Sequence, residues 1–161
     1  MANDESAVRA ELKKLLEGKG AHADVFTALD GFPFEDAGKR PHGLPYSAWQ
    51  LLEHMRFTLS DLLDFSANAN YQPHAWPDAY WVKDPQPPSV DAWKKSVSAL
   101  KADLHAFEKL ISDPHSNLHD VIPWADNKQT LFHEALLAAD HTSYHTGELI
   151  VLRRLLGNWK K

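Results

Sequence analysis

The sequence predicts an all-α fold: a single-domain four-helix bundle over residues 1–161. Three observations carry that expectation. Four segments repeat apolar residues at three- and four-residue intervals, the period of a helix that buries one face. Each is bounded by residues that start or stop helices. No run alternates apolar and polar residues over strand length beside a hairpin turn. The length suits one domain, and 43% hydrophobic residues are enough for an ordinary core and too many for a disordered chain.

The first helix is expected over about residues 5–17, with Val8, Leu12, Leu15 and Leu16 on one face. Gly18-Lys19-Gly20 ends it, because glycine accepts the left-handed conformation that closes a helix. A short helix fits residues 23–29. The second long helix spans about 47–67. Ser47 and Gln50 form a capping box, and Tyr46 is placed to staple onto Leu51. Its core stripe is Leu51, Met55, Thr58, Leu62 and Phe65. The third runs from about 89 to 112 after Pro87-Pro88, with Val90, Trp93, Val97, Leu100, Leu104, Phe107 and Ile111 on one side. The fourth spans about 129–156. Arg153 and Arg154 suit its C-terminus, and Gly157 stops it. The connections 31–45 and 68–88 are long for a bundle, which points to crossovers or functional lids.

Composition excludes several functions. Seventeen basic against twenty-two acidic residues give a net charge of −5, and no basic stripe offers a nucleic-acid surface. The longest apolar runs, such as Leu149-Ile150-Val151-Leu152, are far short of the about 20 residues that span a bilayer. The polar, acidic start of the chain does not read as a targeting segment. A soluble, cytoplasmic protein without nucleic-acid or membrane partners is the expectation. With no cysteine, disulfides, thiolate metal sites and cysteine nucleophiles are excluded.

The ten histidines are the conspicuous feature. His141 and His145 are one turn apart on the fourth helix, about 40° from each other, and two imidazoles at that spacing can chelate one metal ion. On the same line lie Leu137, Ala138, Glu148, Leu152 and Leu155, so the pair is expected on an inward face. Spacing alone decides little, since His115 and His119 repeat it in an expected loop. Burying two imidazoles costs several kcal/mol unless they find partners, and a metal satisfies both. His54, at the edge of the second helix's stripe, is the candidate third ligand. Each ring taken singly also fits a hydrogen-bonded core or boundary histidine. His133 lies about 80° off the His141 line, and His105 flanks its helix's stripe. Ala139, Ser143, Gly147 and Ile150 form a small-residue side opposite the histidines, suited to close packing against another helix or a second subunit.

The stretch Asp140-His141-Thr142-Ser143-Tyr144-His145-Thr146-Gly147-Glu148, with Arg153-Arg154-Leu155-Leu156-Gly157 after it, resembles the last-helix signature of the DinB/YfiT-like superfamily, His-x-x-Tyr/His-His-x-Gly-Gln/Glu. Residues 43–54, ending in Leu51-Leu52-Glu53-His54, resemble that family's second-helix entry, and Trp76-Pro77 its Trp-Pro loop. The resemblance implies a four-helix bundle with a divalent metal, often nickel or zinc, held by His54, His141 and His145. It also implies a homodimer by family habit. Characterised relatives are thiol-dependent S-transferases using bacillithiol or mycothiol and a mycothiol-dependent isomerase, while many members are described as metal-dependent hydrolases. A metal with an open position would give this cysteine-free chain a nucleophile at neutral pH, from water or from a low-molecular-weight thiol co-substrate, for use on a small molecule.

Glu148, one turn past His145, is a candidate base or holder of a ligand ring. Asp61, two turns beyond His54, and Tyr144 are candidates for lining the pocket or supporting a ligand; Asp61 also reads as a boundary acid and Tyr144 as a packing residue. The Trp76/Trp81 loop reads as a roof over the site or a plug for the bundle end. A non-catalytic metal-binding or stress-response bundle is the alternative function. It would need a fourth protein ligand, with Glu148 or His133 the available donors.

Overall fold

The structure, a computed structural model, describes residues 2–159. It is helical: α1 (Ala2–Leu16), α2 (Val25–Leu29), α3 (Ala48–Ala67), α4 (Val90–Ser112) and α5 (Leu131–Leu155). The single β feature among the described residues is an isolated bridge between Val121 and Thr130. No described helix is long and apolar enough to cross a membrane.

The caps do what their chemistry dictates. Gly18, at φ +67°, closes α1 with paired bonds from Gly18 N to Leu15 O and from Lys19 N to Lys14 O, the arrangement of a glycine C-terminal cap. Asp24 accepts from the backbone N–H groups of Phe26 and Thr27 and starts α2. Ser47 and Gln50 make both halves of the capping box of α3. Thr130 starts α5, and Gly157 ends it as Gly18 ends α1.

The long helices pack in the cyclic order α1, α4, α3, α5, with α2 on α5. One core runs through them, built on Leu12, Leu16, Leu51, Met55, Leu100, Phe107, Ile111, Leu149 and Leu152. The α4 stripe is as the sequence predicts from Trp93 to Ile111, although Val90 is exposed. The first two turns of α3 are buried on every side, so Leu52 and Leu59 join the core and His54 is enclosed. The cause is triple coverage: α3 meets α4, α5 and the 3-10 turn Asp78–Tyr80.

One expectation is corrected. Leu137 and Leu155, placed on an inward line with His141, are 41% and 42% exposed. The buried face of α5 follows Ala135, Ala138, Thr142, Leu149 and Leu152, roughly 80° further round. His141 therefore stands at the margin of the core, where a polar ring keeps access to solvent.

Candidate metal centre

Three elements bring the site together. α5 contributes His141 and His145, α3 contributes His54, and the 80–86 segment forms the wall. The first turn of α3 pins that wall through side-chain amides and hydroxyls. Gln50 donates from Nε2 to Val82 O at 2.9 Å and Lys83 O at 3.3 Å, and the Ser47 hydroxyl donates to Pro85 O. Arg40 holds Gln50 from the other side, 2.6 Å from its Oε1.

Trp81 is fixed in this way and stacks on His54, with ring centroids 3.9 Å apart and planes 8° from parallel. Its other neighbour is Tyr46, stacked at 5.4 Å. Tyr46, a candidate staple for Leu51, thus sends its ring to Trp81 and its hydroxyl to Glu148.

The hydrogen bonds determine which nitrogens are free. His54 Nδ1 is 2.9 Å from the carbonyl of Tyr80, which can only accept, so the proton is assigned to Nδ1. His145 Nδ1 is 2.6 Å from Glu148 Oε2, and the carboxylate likewise places the proton on Nδ1. Both rings are left with a lone pair on Nε2. His54 Nε2 lies 3.0 Å from His141 Nε2, and one donor atom from each of the three rings falls within 4.8 Å of the others.

Burial favours the neutral form of His141 and His54. It pushes the His141 pKa down to about 3, with further lowering by His145 and His54. His54 is also lowered, by burial first and then by His145, against the pull of the Tyr80 carbonyl. His141 Nε2 donates to the His54 Nε2 lone pair when it carries the proton, and offers a second lone pair to a cation when the proton is on Nδ1. Nitrogens bound at about 2.0–2.1 Å in a tetrahedral site are about 3.3 Å apart, close to the His54–His141 separation. The three histidines could therefore hold a metal ion.

The outer contacts were only partly foreseeable. Glu148 uses both oxygens, one for His145 and one for the Tyr46 hydroxyl, and so holds the His145 ring. Asp61 acts at one remove. It accepts from the hydroxyls of Tyr71, at 3.0 Å, and Tyr80, and the Tyr80 backbone carbonyl in turn orients His54. Tyr144 is 65% exposed and meets His145 edge-on, with centroids 5.0 Å apart, at the outer rim. Trp76 is also exposed, against Tyr80, so of the two loop tryptophans Trp81 is the one that covers the site. His133 and His105 are exposed and outside the cluster.

Sequence reasoning did not single out Tyr80, Thr58 as a polar group, or Glu134. Thr58, one turn beyond His54, has a buried hydroxyl with no partner, and Glu134 is buried seven residues before His141. Burial, with Asp61 adding to it, raises the Glu134 pKa. The sequence signal for Glu134 was available: seven residues return almost to the same helical line, about 20° away.

Comparison with protein-family models, with curated proteins and with solved structures finds no match. The three histidines are close enough to bind a metal.

Proposed function

We propose that the protein is a metalloenzyme acting on small molecules through one divalent zinc or nickel ion held by His54, His141 and His145. The observation that carries the reading is the set of tautomers. Two of the three rings have Nδ1 committed to an acceptor, His54 Nε2 is 3.0 Å from His141 Nε2, and one donor atom of each of the three rings lies within 4.8 Å of the others. The resemblance of the α5 and α3 segments to the DinB/YfiT-like superfamily supports the same assignment from sequence.

A divalent ion held by these residues would supply Lewis acidity, lowering the pKa of water or a thiol that reaches it. The chain supplies the rest. Imidazole ligands would leave the ion's charge largely uncompensated, with Glu148 offsetting part of it through its bond to His145. Trp81 and Tyr46 exclude water from the His54 side. The reaction fits either transfer to a low-molecular-weight thiol or hydrolysis.

A purely structural metal is less well supported. Closed structural sites use four protein ligands, whereas Glu148 is occupied by His145 and Tyr46, and His133 is remote from the cluster. Metal analysis of untagged protein should find about one divalent ion per chain, lost in His141→Ala and His145→Ala. Protein that arrives metal-free and rebinds neither zinc nor nickel would refute the reading. Turnover of an electrophile with a panel of cellular thiols then separates transferase from hydrolase.

A further inference from the structure

The small-residue side of α5 carries a second feature, on the face of that helix turned away from the metal centre. Ser143 lies about 160° round the helix from His141. Of its companions, Ala139 is buried within the chain, while a Cβ on Gly147 would meet no atom within 4 Å. Ser143 stands between them, at the wall of a cavity of about 500 Å³ that the 17–25 segment closes from the far side. That is the size of a small-molecule site. Leu15, Leu16, Leu136 and Ala139 give it apolar walls.

A histidine from that segment meets the serine. His22 Nε2 is 3.0 Å from Ser143 Oγ, and His22 Nδ1 is 3.0 Å from the carbonyl of Ala23. A carbonyl can only accept, so the proton is assigned to Nδ1, and the Nε2 lone pair accepts from the serine hydroxyl. A hydroxyl donating to an imidazole whose other nitrogen is held by an acceptor is the geometry of a nucleophile with its general base. The loop that brings His22 there is fixed at both ends. Gly18 closes α1, Lys19 N donates to Lys14 O, and Asp24 caps α2. Among the described residues, the backbone N–H groups of Gly20, Ala21 and His22 donate to no backbone carbonyl, which leaves donors in the same loop for a developing oxyanion.

We propose that Ser143 and His22 are the nucleophile and base of a second site, independent of the metal, that cleaves small neutral or cationic esters. The charge of the cavity sets the substrate class. Glu17, Asp24 and Asp140 line it against Lys19, and Lys19 is already paired with Glu17 at 2.8 Å, so an anionic substrate is repelled. Ser143 Oγ bonds to the acyl carbon of the ester while its proton passes to His22 Nε2. That proton leaves with the alcohol as the ester C–O bond breaks. His22 then takes a proton from water, whose oxygen bonds to the acyl carbon and displaces Ser143 Oγ, and the proton returns to Oγ. One ester and one water become one acid and one alcohol.

The test is labelling of the full chain with an alkyl fluorophosphonate, which phosphonylates activated serines, followed by peptide mass mapping. The adduct is expected on Ser143 and absent in Ser143→Ala. His22→Asn slows labelling by about a hundredfold or more, the usual contribution of a general base. Protein stripped of metal by a chelator labels at the same rate as untreated protein, so failure of the metal reading leaves this outcome intact. The stripped protein also hydrolyses p-nitrophenyl acetate, and Ser143→Ala lowers that rate at least about tenfold. No adduct, an adduct elsewhere than Ser143, or labelling as fast in His22→Asn as in the wild type would overturn the proposal. So would labelling that disappears with the metal, or ester turnover that Ser143→Ala leaves unchanged.

Discussion

Glu148→Gln removes the charge from the acceptor of the His145 ring while keeping its shape. The bond at stake is 2.6 Å long, and the Glu148 side chain is 22% exposed, so solvent screens it only in part. A hydrogen bond to a charged group contributes about 1.5–3 kcal/mol, and a neutral acceptor about half of that. The amide can still accept from His145 and turn its nitrogen to the Tyr46 oxygen. The expected loss is therefore about 1–1.5 kcal/mol, which at about 1.4 kcal/mol per factor of ten is close to a tenfold weaker zinc complex. Glu148→Ala also strands the Tyr46 hydroxyl and the His145 N–H, and its loss should approach the hundredfold end of the range for such outer partners. Competition with a chromogenic chelator at neutral pH reads both. Zinc affinity in Glu148→Gln and Glu148→Ala within about twofold of wild type would refute the idea that this carboxylate orients a ligand.

Three further predictions concern stability. In metal-free protein, His141 titrates near 3 folded and near about 6.5 unfolded, so between these values the unfolded chain binds the extra proton. Stability from this group is complete above about pH 6.5 and falls by about 1.4 kcal/mol per unit as pH drops toward 3, with His54 shifted in the same direction. Urea unfolding between about pH 7 and 5 should show it, and His141→Phe should flatten it; identical slopes for the two proteins would contradict the assignment. Asp61→Leu removes the acceptor of the Tyr71 and Tyr80 hydroxyls and should cost about 2–4 kcal/mol in urea, with a smaller loss of zinc affinity through the Tyr80 carbonyl. Arg153→Met keeps contact with Phe32 and Trp159 but deprives the carbonyls of Ala28, Asp30 and Asn158 of a buried donor. A loss of about 3 kcal/mol is expected, and an unchanged urea midpoint would show that those carbonyls find other donors.

The sequence by itself determined the helices, their caps and the three histidines. These are local properties: a 3.6-residue period, a serine three positions before a glutamine, glycine where φ must be positive, and imidazoles four residues apart. It placed the histidines on the correct helices and Glu148 beside His145, because i to i+3 and i+4 geometry is fixed within one helix. It misjudged the rotation of α5, since Leu137 and Leu155 look like core residues until the positions of α1 and α3 are known.

The tertiary structure alone decided how the rings are held. The Tyr80 carbonyl that sets the His54 tautomer is a backbone atom 26 positions away, and no side-chain pattern announces it. Tyr46 reaches Glu148 across 102 positions, and Gln50 pins the Trp81 segment across about 32. Periodicity reports which way a side chain leaves its own helix. Whether a nitrogen there keeps its lone pair for a metal depends on which acceptor the rest of the chain packs against it.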